Sequence, residues 1–240
     1  MDYEALLNLV RQRRSTRKFK TDPVPDEALE KIIEAARWAP SGANSQPWEF
    51  IVVKDKQIKD KIVDIVVQQG ELNHRVELSR EEDLRFSNIG GSGKEPGYKN
   101  APVFIILCGD SRTQEAYPLI TELTQGESIF TSSLANAFVY MALAAAALGL
   151  GAQWVTATAS ALRAPILKKY LSIPRQFKIY DMLAVGYPAA APGPRLVRER
   201  TDMLHVDGFD HSKYRSDKEM RDFIQPHKTP DSCLEMPRLG

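Results

Sequence analysis

Arg13, Arg14, Ser15, Thr16 and Arg17 put three guanidiniums and two hydroxyls within five residues. Guanidiniums crowded this closely repel unless an anion sits among them, and their planar forks match phosphate oxygens. A bound phosphate is one reading of this knot. The other is a solvated cation cluster at the end of a short helix, where the helix dipole favours positive charge. A second basic cluster, Arg195, Arg198 and Arg200, stands far downstream. Between them runs the loop Ala39-Pro40-Ser41-Gly42-Ala43-Asn44-Ser45-Gln46-Pro47-Trp48. Ser41, Asn44 and Gln46 each donate and accept hydrogen bonds. The polar edge of a planar heteroaromatic ring requires that mixture. Ser, Gly and Asn are also common turn residues, so an ordinary capping loop stays open as the alternative.

Other chemistries find little support. The four histidines form no HExxH, and no Ser-His-Asp or Cys-His constellation is recognisable. The segment His205-Val206-Asp207-Gly208-Phe209-Asp210-His211 is read as a solvated tail rather than a metal site, so no metal is expected. Gly90-Gly91-Ser92-Gly93-Lys94 fails as a phosphate-binding P-loop, because Asn88 and Glu95 occupy the positions that need a glycine and a hydroxyl. A net charge of +1 provides no general field for nucleic acid, and no nucleic-acid partner is expected. Cys108 and Cys233 lie far apart without a metal or CxxC spacing, which favours a reducing compartment. Met1-Asp2-Tyr3-Glu4 lacks the basic-then-apolar pattern of a signal peptide, so the expected location is the cytoplasm. Leu134 to Leu150 is uncharged, yet it is short of the roughly 20 apolar residues of a membrane span. It also contains Asn136. A buried alanine-rich helix is expected there, and no membrane partner.

The elements that would position these residues follow from periodicity. Tyr3 to Gln12 predicts a short helix with Leu6, Leu7 and Val10 on one face. Asp26 and Glu27 open a second helix, with Leu29, Ile32, Ile33 and Ala36 inward, ending before Pro40. Strands are predicted at Glu49 to Val53, Val103 to Cys108 and Ile179 to Gly186, with Ala152 to Thr158 a strand running into a turn. Ile58 to Gln69, Thr131 to Leu150 and Pro165 to Tyr170 read as helices. Glu71 to Asn100 is polar and charged and reads as an irregular lid or insertion. One α+β domain, a sheet wrapped by helices, is the simplest account.

In this order the pieces resemble the FMN-dependent nitroreductase family. They are Arg-Arg-Ser-Thr-Arg, Ala-Pro-Ser-Gly-Ala-Asn-Ser-Gln-Pro-Trp-Glu-Phe, Asn100-Ala101-Pro102, the Ala-rich helix ending in Gly-Leu-Gly, Val185-Gly186-Tyr187-Pro188, and Arg198-Glu199-Arg200. The resemblance implies an α+β fold with a central mixed or antiparallel sheet flanked by helices, assembled as an intertwined homodimer. It implies a flavin-binding domain over 1–204, with 71–100 as its lid, and a tail over 205–240 that packs on the partner subunit. It assigns Arg13, Arg14, Ser15 and Arg17, with Arg198 and Arg200, to the FMN phosphate and ribityl chain. Pro40, Ser41, Gly42, Asn44 and Gln46 would lie against the isoalloxazine ring, and Thr156, Ala157 and Thr158 near flavin N5. Ala43, Lys94 and Tyr98 are candidates for a small-molecule acceptor, with Lys94, Tyr98 and Lys99 the candidates if that ligand is acidic or phenolic. No catalytic side chain is implied, because hydride from NADH or NADPH passes through flavin N5 to a nitroaromatic, quinone or related conjugated acceptor. Reductive dehalogenation or flavin breakdown is the alternative within the fold, and a non-catalytic flavin-binding or regulatory protein the alternative outside it. The lid of the iodotyrosine deiodinase-like branch carries a Glu, a Tyr four residues on and a Lys. Here Glu71 is followed at that spacing by Arg75, and Glu77 by Glu81, so that pattern is absent.

Overall fold

The computed structural model describes residues 2–68, 70–85, 96–193, 195 and 197–224. Its contacts divide the chain into two units, Met1–Gln68 with Glu95–Ala191, and Gln69–Lys94 with Pro192–Gly240.

The first unit opens with α1, Tyr3–Gln12, whose first turn is capped by the Asp2 carboxylate accepting from the Ala5 amide at 2.8 Å. No residue of α1 is buried, and Tyr3, Leu6 and Val10 stand exposed. Next, α2 spans Asp26–Arg37, with two carboxylates in its first turn and Leu29, Ile32 and Ala36 inward. Strand β1 is Trp48–Val53, α3 is Lys56–Val67, and the second unit's α4 is Gly70–Leu78. Strand β2, Val103–Asp110, leads through a 3-10 stretch to α5, Leu119–Ala147. Strand β3, Gly151–Val155, α6, Ala164–Tyr170, and β4, Phe177–Gly186, complete the unit.

The four strands form one antiparallel sheet in the order β1-β2-β4-β3, which resolves the mixed-or-antiparallel expectation. β2 is buried along almost its whole length because both faces of the sheet are covered. Ile105 and Leu107 pack with Phe130, Leu134 and Phe138 of α5, while Phe104 and Ile106 pack with Ile62 and Ile65 of α3 and Leu167 of α6. A period of two therefore sorts one apolar run into two cores.

Two expectations need correction. The long helix begins at Leu119 rather than Thr131, its first turns being too polar to read as part of the apolar run. The segment expected to be irregular contains α4 and a 3-10 turn at Glu82–Leu84. By length and hydropathy α5 qualifies as a membrane span. It is instead a core helix, with Phe130, Leu134, Ala137, Phe138, Met141 and Ala145 at most 2% exposed.

The second unit also holds 3-10 turns at Arg200–Asp202 and His211–Lys213, and α7, Asp217–Ile224. His205 stacks on Phe209 at 4.4 Å, and its Nδ1 accepts from the Asp210 amide at 3.0 Å. Among the described residues no group of three or more His, Cys, Asp or Glu is placed to hold a metal.

Candidate functional site

The arginine knot lies along the open edge of β3. Ser15 forms a parallel bridge with Ala152, and the Thr16 amide donates to the Ala152 carbonyl at 2.9 Å. Further on, Phe19 pairs antiparallel with Pro188, and the Lys20 amide donates to Tyr187 at 2.9 Å. This explains why Val185-Gly186-Tyr187-Pro188 and the knot belong to one motif set. They are neighbours across the sheet.

Two glycines allow the close approach. A Cβ on Gly151 would stand 2.3 Å from Thr16 Oγ1, and one on Gly97 would stand 1.9 Å from the Arg17 carbonyl oxygen. The main chain of the knot is thus clamped between β3 and the 3-10 turn Gly97–Asn100. Arg13 and Arg14 are half-buried, and Ser15 and Arg17 are exposed. Among the described residues Arg14 and Arg17 make no ion pair. One residue beyond Ala152, Gln153 has a buried Oε1 with no hydrogen-bond partner among the described residues. A buried orphan acceptor costs free energy unless a ligand donates to it.

The loop 40–46 is fixed from below by α5. Asn136 Nδ2 donates to the Pro40 carbonyl at 3.0 Å, and the Gly42 amide donates to Ser133 Oγ at 3.1 Å. Ser41 Oγ accepts from the Gln46 amide at 3.0 Å, and Gln46 Nε2 donates to the Asn44 carbonyl at 3.4 Å. Gly42 has no room for a side chain because a Cβ would stand 2.1 Å from Ile129 Cγ2. Ala43, Asn44 and Gln46 all have positive φ, at 50°, 52° and 44°. Such backbone costs about 1–3 kcal/mol per residue and persists where surrounding bonds over-determine it, commonly at functional sites. Ala43 and Asn44 are exposed at the turn's apex.

β3 ends in a 3-10 turn, Thr156–Ala159. Thr156 is exposed and Ala157 half-buried, while Thr158 is fully buried and its hydroxyl donates to the Val155 carbonyl at 3.1 Å. Tyr98 is placed in a core rather than at an open acceptor pocket. It is 5% exposed, and burial pushes its hydroxyl pKa up to about 12. Lys94 lies outside the described residues. In the second unit Arg200 is exposed and Arg198 donates to the Asp202 carbonyl at 3.0 Å. Ser133, Asn136 and Gln153 were not singled out by sequence reasoning as parts of this site. The available signal was a polar residue interrupting an apolar run.

A family model described as the nitroreductase family matches residues 10–187. The chain belongs to the nitroreductase family, and the knot, the loop and the turn after β3 all fall inside the matched span. A protein of Methanothermobacter thermautotrophicus, provisionally named NADH dehydrogenase/NAD(P)H nitroreductase, is 28% identical over 84% of this chain and 86% of its own length. Iodotyrosine deiodinase 1 of Mus musculus is 30% identical over 86% of this chain and 70% of its own length. A solved structure of a provisionally named nitroreductase from Desulfovibrio desulfuricans, in complex with FMN, is 28% identical and covers 85% of this chain and 98% of that one, with a TM-score of 0.58.

Proposed function

We propose that this protein is an FMN-dependent oxidoreductase that uses NADH or NADPH to reduce conjugated acceptors such as nitroaromatics and quinones. The observation that carries the reading is the knot itself, laid on β3, where among the described residues Arg14 and Arg17 make no ion pair and Gln153, one residue along, keeps an orphan acceptor. This donor set fits FMN. Arg13, Arg14, Ser15 and Arg17 would hold its phosphate and chain by charge-assisted hydrogen bonds. Gln153 Oε1 would accept from an imide N–H, and loop 40–46 would present amides to the ring's edge. The α5 anchors, Ser133 and Asn136, keep that loop rigid, so orientation is built in before a ligand arrives. Bound flavin supplies the redox chemistry, carrying two electrons from the nicotinamide to the acceptor. Overall, NAD(P)H, a proton and a quinone give NAD(P)⁺ and a hydroquinone.

A second reading is reductive dehalogenation, favoured by the 30% identity to iodotyrosine deiodinase 1 over most of the chain. There NAD(P)H and an iodinated arene would give NAD(P)⁺, iodide and the arene. We also propose a cytoplasmic homodimer. Leu119, Ile120 and Leu123 on α5, and Tyr3 and Leu6 on α1, are exposed apolar side chains that a second copy would cover. Sedimentation at micromolar concentration is expected to give twice the chain mass.

The purified protein should be yellow, and either nicotinamide should bleach it anaerobically before an acceptor restores the colour. Arg17→Ala should release FMN more readily, by about 1.5–3 kcal/mol for a lost charge-assisted contact. A colourless protein that ignores added FMN refutes the reading. Turnover of halophenols but not of quinones or nitroarenes selects the second.

A further inference from the structure

A charged cavity among the described residues plays no part in the site assigned above. It has a volume of about 430 Å³ and lies where β1 ends and β2 begins, beside the first turn of α3. Lys54, Lys56, Lys59 and Lys99 line it, against a single carboxylate, Asp60. None of its lining residues belongs to the knot, to loop 40–46 or to the turn after β3.

Lys59 is the unusual member. It is 9% exposed, yet its ammonium has no carboxylate in ion-pair range among the described residues. Nζ donates to the carbonyls of Ala101 and Pro102, each at 2.8 Å, and stands 5.7 Å from the centre of the Phe104 ring. An ammonium carries three donors, so one remains. Burial pushes its pKa below the ordinary lysine value, with Lys56 adding to that and Asp60 and Asp55 opposing it. Burying a cation among neutral partners is costly, and an anion in the cavity offsets that cost. Around it, Lys54 pairs with Asp26 at 2.8 Å and Lys56 with Asp60 at 2.5 Å. These are exposed pairs, which hold weakly and exchange readily. The N-terminal dipole of α3 adds to the same positive field.

We propose that this cavity is a second anion site, separate from the flavin site, that takes the phosphate group of a small soluble phosphoester. Lys59 is held by neutral carbonyls alone, and Lys54 and Lys56 can each exchange an exposed carboxylate for a ligand oxygen, so three ammoniums can converge on a dianion. Lysines act as mobile point charges that adapt to tetrahedral oxygens without a fixed fork. The neutral walls, Pro23, Val24, Pro102 and Val103, leave room for the organic part of the ester.

The test titrates inorganic phosphate and glucose 6-phosphate calorimetrically into FMN-saturated protein, then into FMN-free protein. One phosphate group per chain should bind with FMN present, and the ester should bind more tightly than inorganic phosphate. The double variant Lys54→Gln, Lys56→Gln should bind at least about tenfold more weakly, the loss expected for one charge-assisted contact. Its thermal midpoint should match the wild type, since both substituted pairs are exposed. Lys59→Met should abolish binding, and the double variant decides the matter if Lys59→Met fails to fold. Wild-type affinity in the double variant, or no phosphate bound to the FMN-saturated protein, overturns the proposal. Inorganic phosphate binding as tightly as the ester overturns the phosphoester assignment. If the flavin reading is the one that fails, the FMN-free and FMN-treated proteins bind phosphate alike while the lysine effect persists.

Discussion

Gly97 holds the arginine stretch in place by having no side chain. A Cβ there would stand 1.9 Å from the Arg17 carbonyl oxygen and 3.0 Å from its carbonyl carbon. Ordinary contact begins near 3.4 Å, so one wall must retreat by about 1.5 Å. Neither wall is a flexible side chain. One is the backbone of the turn Gly97–Asn100, and the other is the backbone between the bonds Thr16 N to Ala152 O and Lys20 N to Tyr187 O. A retreat of that size carries donors out of the roughly 2.7–3.2 Å hydrogen-bond range. Gly97→Ala should therefore cost about 1–3 kcal/mol of folding stability through overpacking. It should also lose at least one charge-assisted contact to FMN, about 1.5–3 kcal/mol, or about 10- to 150-fold in Kd. Quenching of flavin fluorescence on titration reads the affinity, and urea unfolding of the FMN-free protein reads the stability. Gly208→Ala is the control, because a Cβ there meets nothing within 4 Å. Wild-type stability and affinity in Gly97→Ala would refute the clamp. Lost stability with unchanged affinity would refute its link to the cofactor.

Three further outcomes follow from single contacts. Ser133→Ala removes the acceptor of the Gly42 amide and should cost about 1–2 kcal/mol, with faster hydrogen exchange at Gly42 as its local signature. Ala43→Gly relieves a left-handed alanine at φ 50° and should stabilise by about 0.5–1 kcal/mol after the extra unfolded-state entropy of glycine; a lower urea midpoint would count against strain there. Asp181 is 7% exposed and accepts from Trp154 Nε1 at 2.5 Å, and burial raises its pKa from 3.8 to about 6. The folded state then binds this proton more tightly than the unfolded state, so wild-type stability falls as pH rises from about 4 to 6 and stays lower above that. Asp181→Asn lacks this loss. Above pH 6 the variant should be more stable than wild type by about 1–2 kcal/mol, and the gap should close toward pH 4. Parallel stability curves would refute the assignment.

How much of this was legible in the sequence depends on the range over which each feature is determined. Local periodicity places α1 and α2 and the apolar centres of β1, β2 and β4, because burial on one or both faces writes itself into neighbouring residues. It misplaces the start of α5, where Glu122, Thr124, Gln125 and Gly126 interrupt the apolar run although the helix continues through them. It misses α4, whose residues carry helix-forming side chains but no strong apolar stripe. The candidate site was legible as residue types, since arginines and amides announce their chemistry. Its supports were not. Nothing local in the sequence marks Gly97 or Gly151 as a support, and only the folded chain shows that each faces the knot's own atoms. The lysine cavity is assembled from residues 21 to 103, so no window of sequence contains it.

The polar interruptions of α5 are the link between fold and site. A helix this apolar could satisfy its core with leucine and alanine throughout, yet it spends Ser133, 2% exposed, and Asn136 on two bonds to a distant loop. A buried hydroxyl must be paired, and Ser133 is paired twice, donating to Ile129 at 2.7 Å and accepting from Gly42. The effect of the two loop bonds falls on Pro40 to Gly42, just before the three residues held at positive φ. The strain of that loop is thereby carried by a helix whose Phe130, Leu134 and Phe138 are locked in the core, and that rigidity is passed to the surface where a ring would bind. The Asn136 that argues against a membrane span in the sequence is, in the fold, the residue that fixes the loop's first carbonyl.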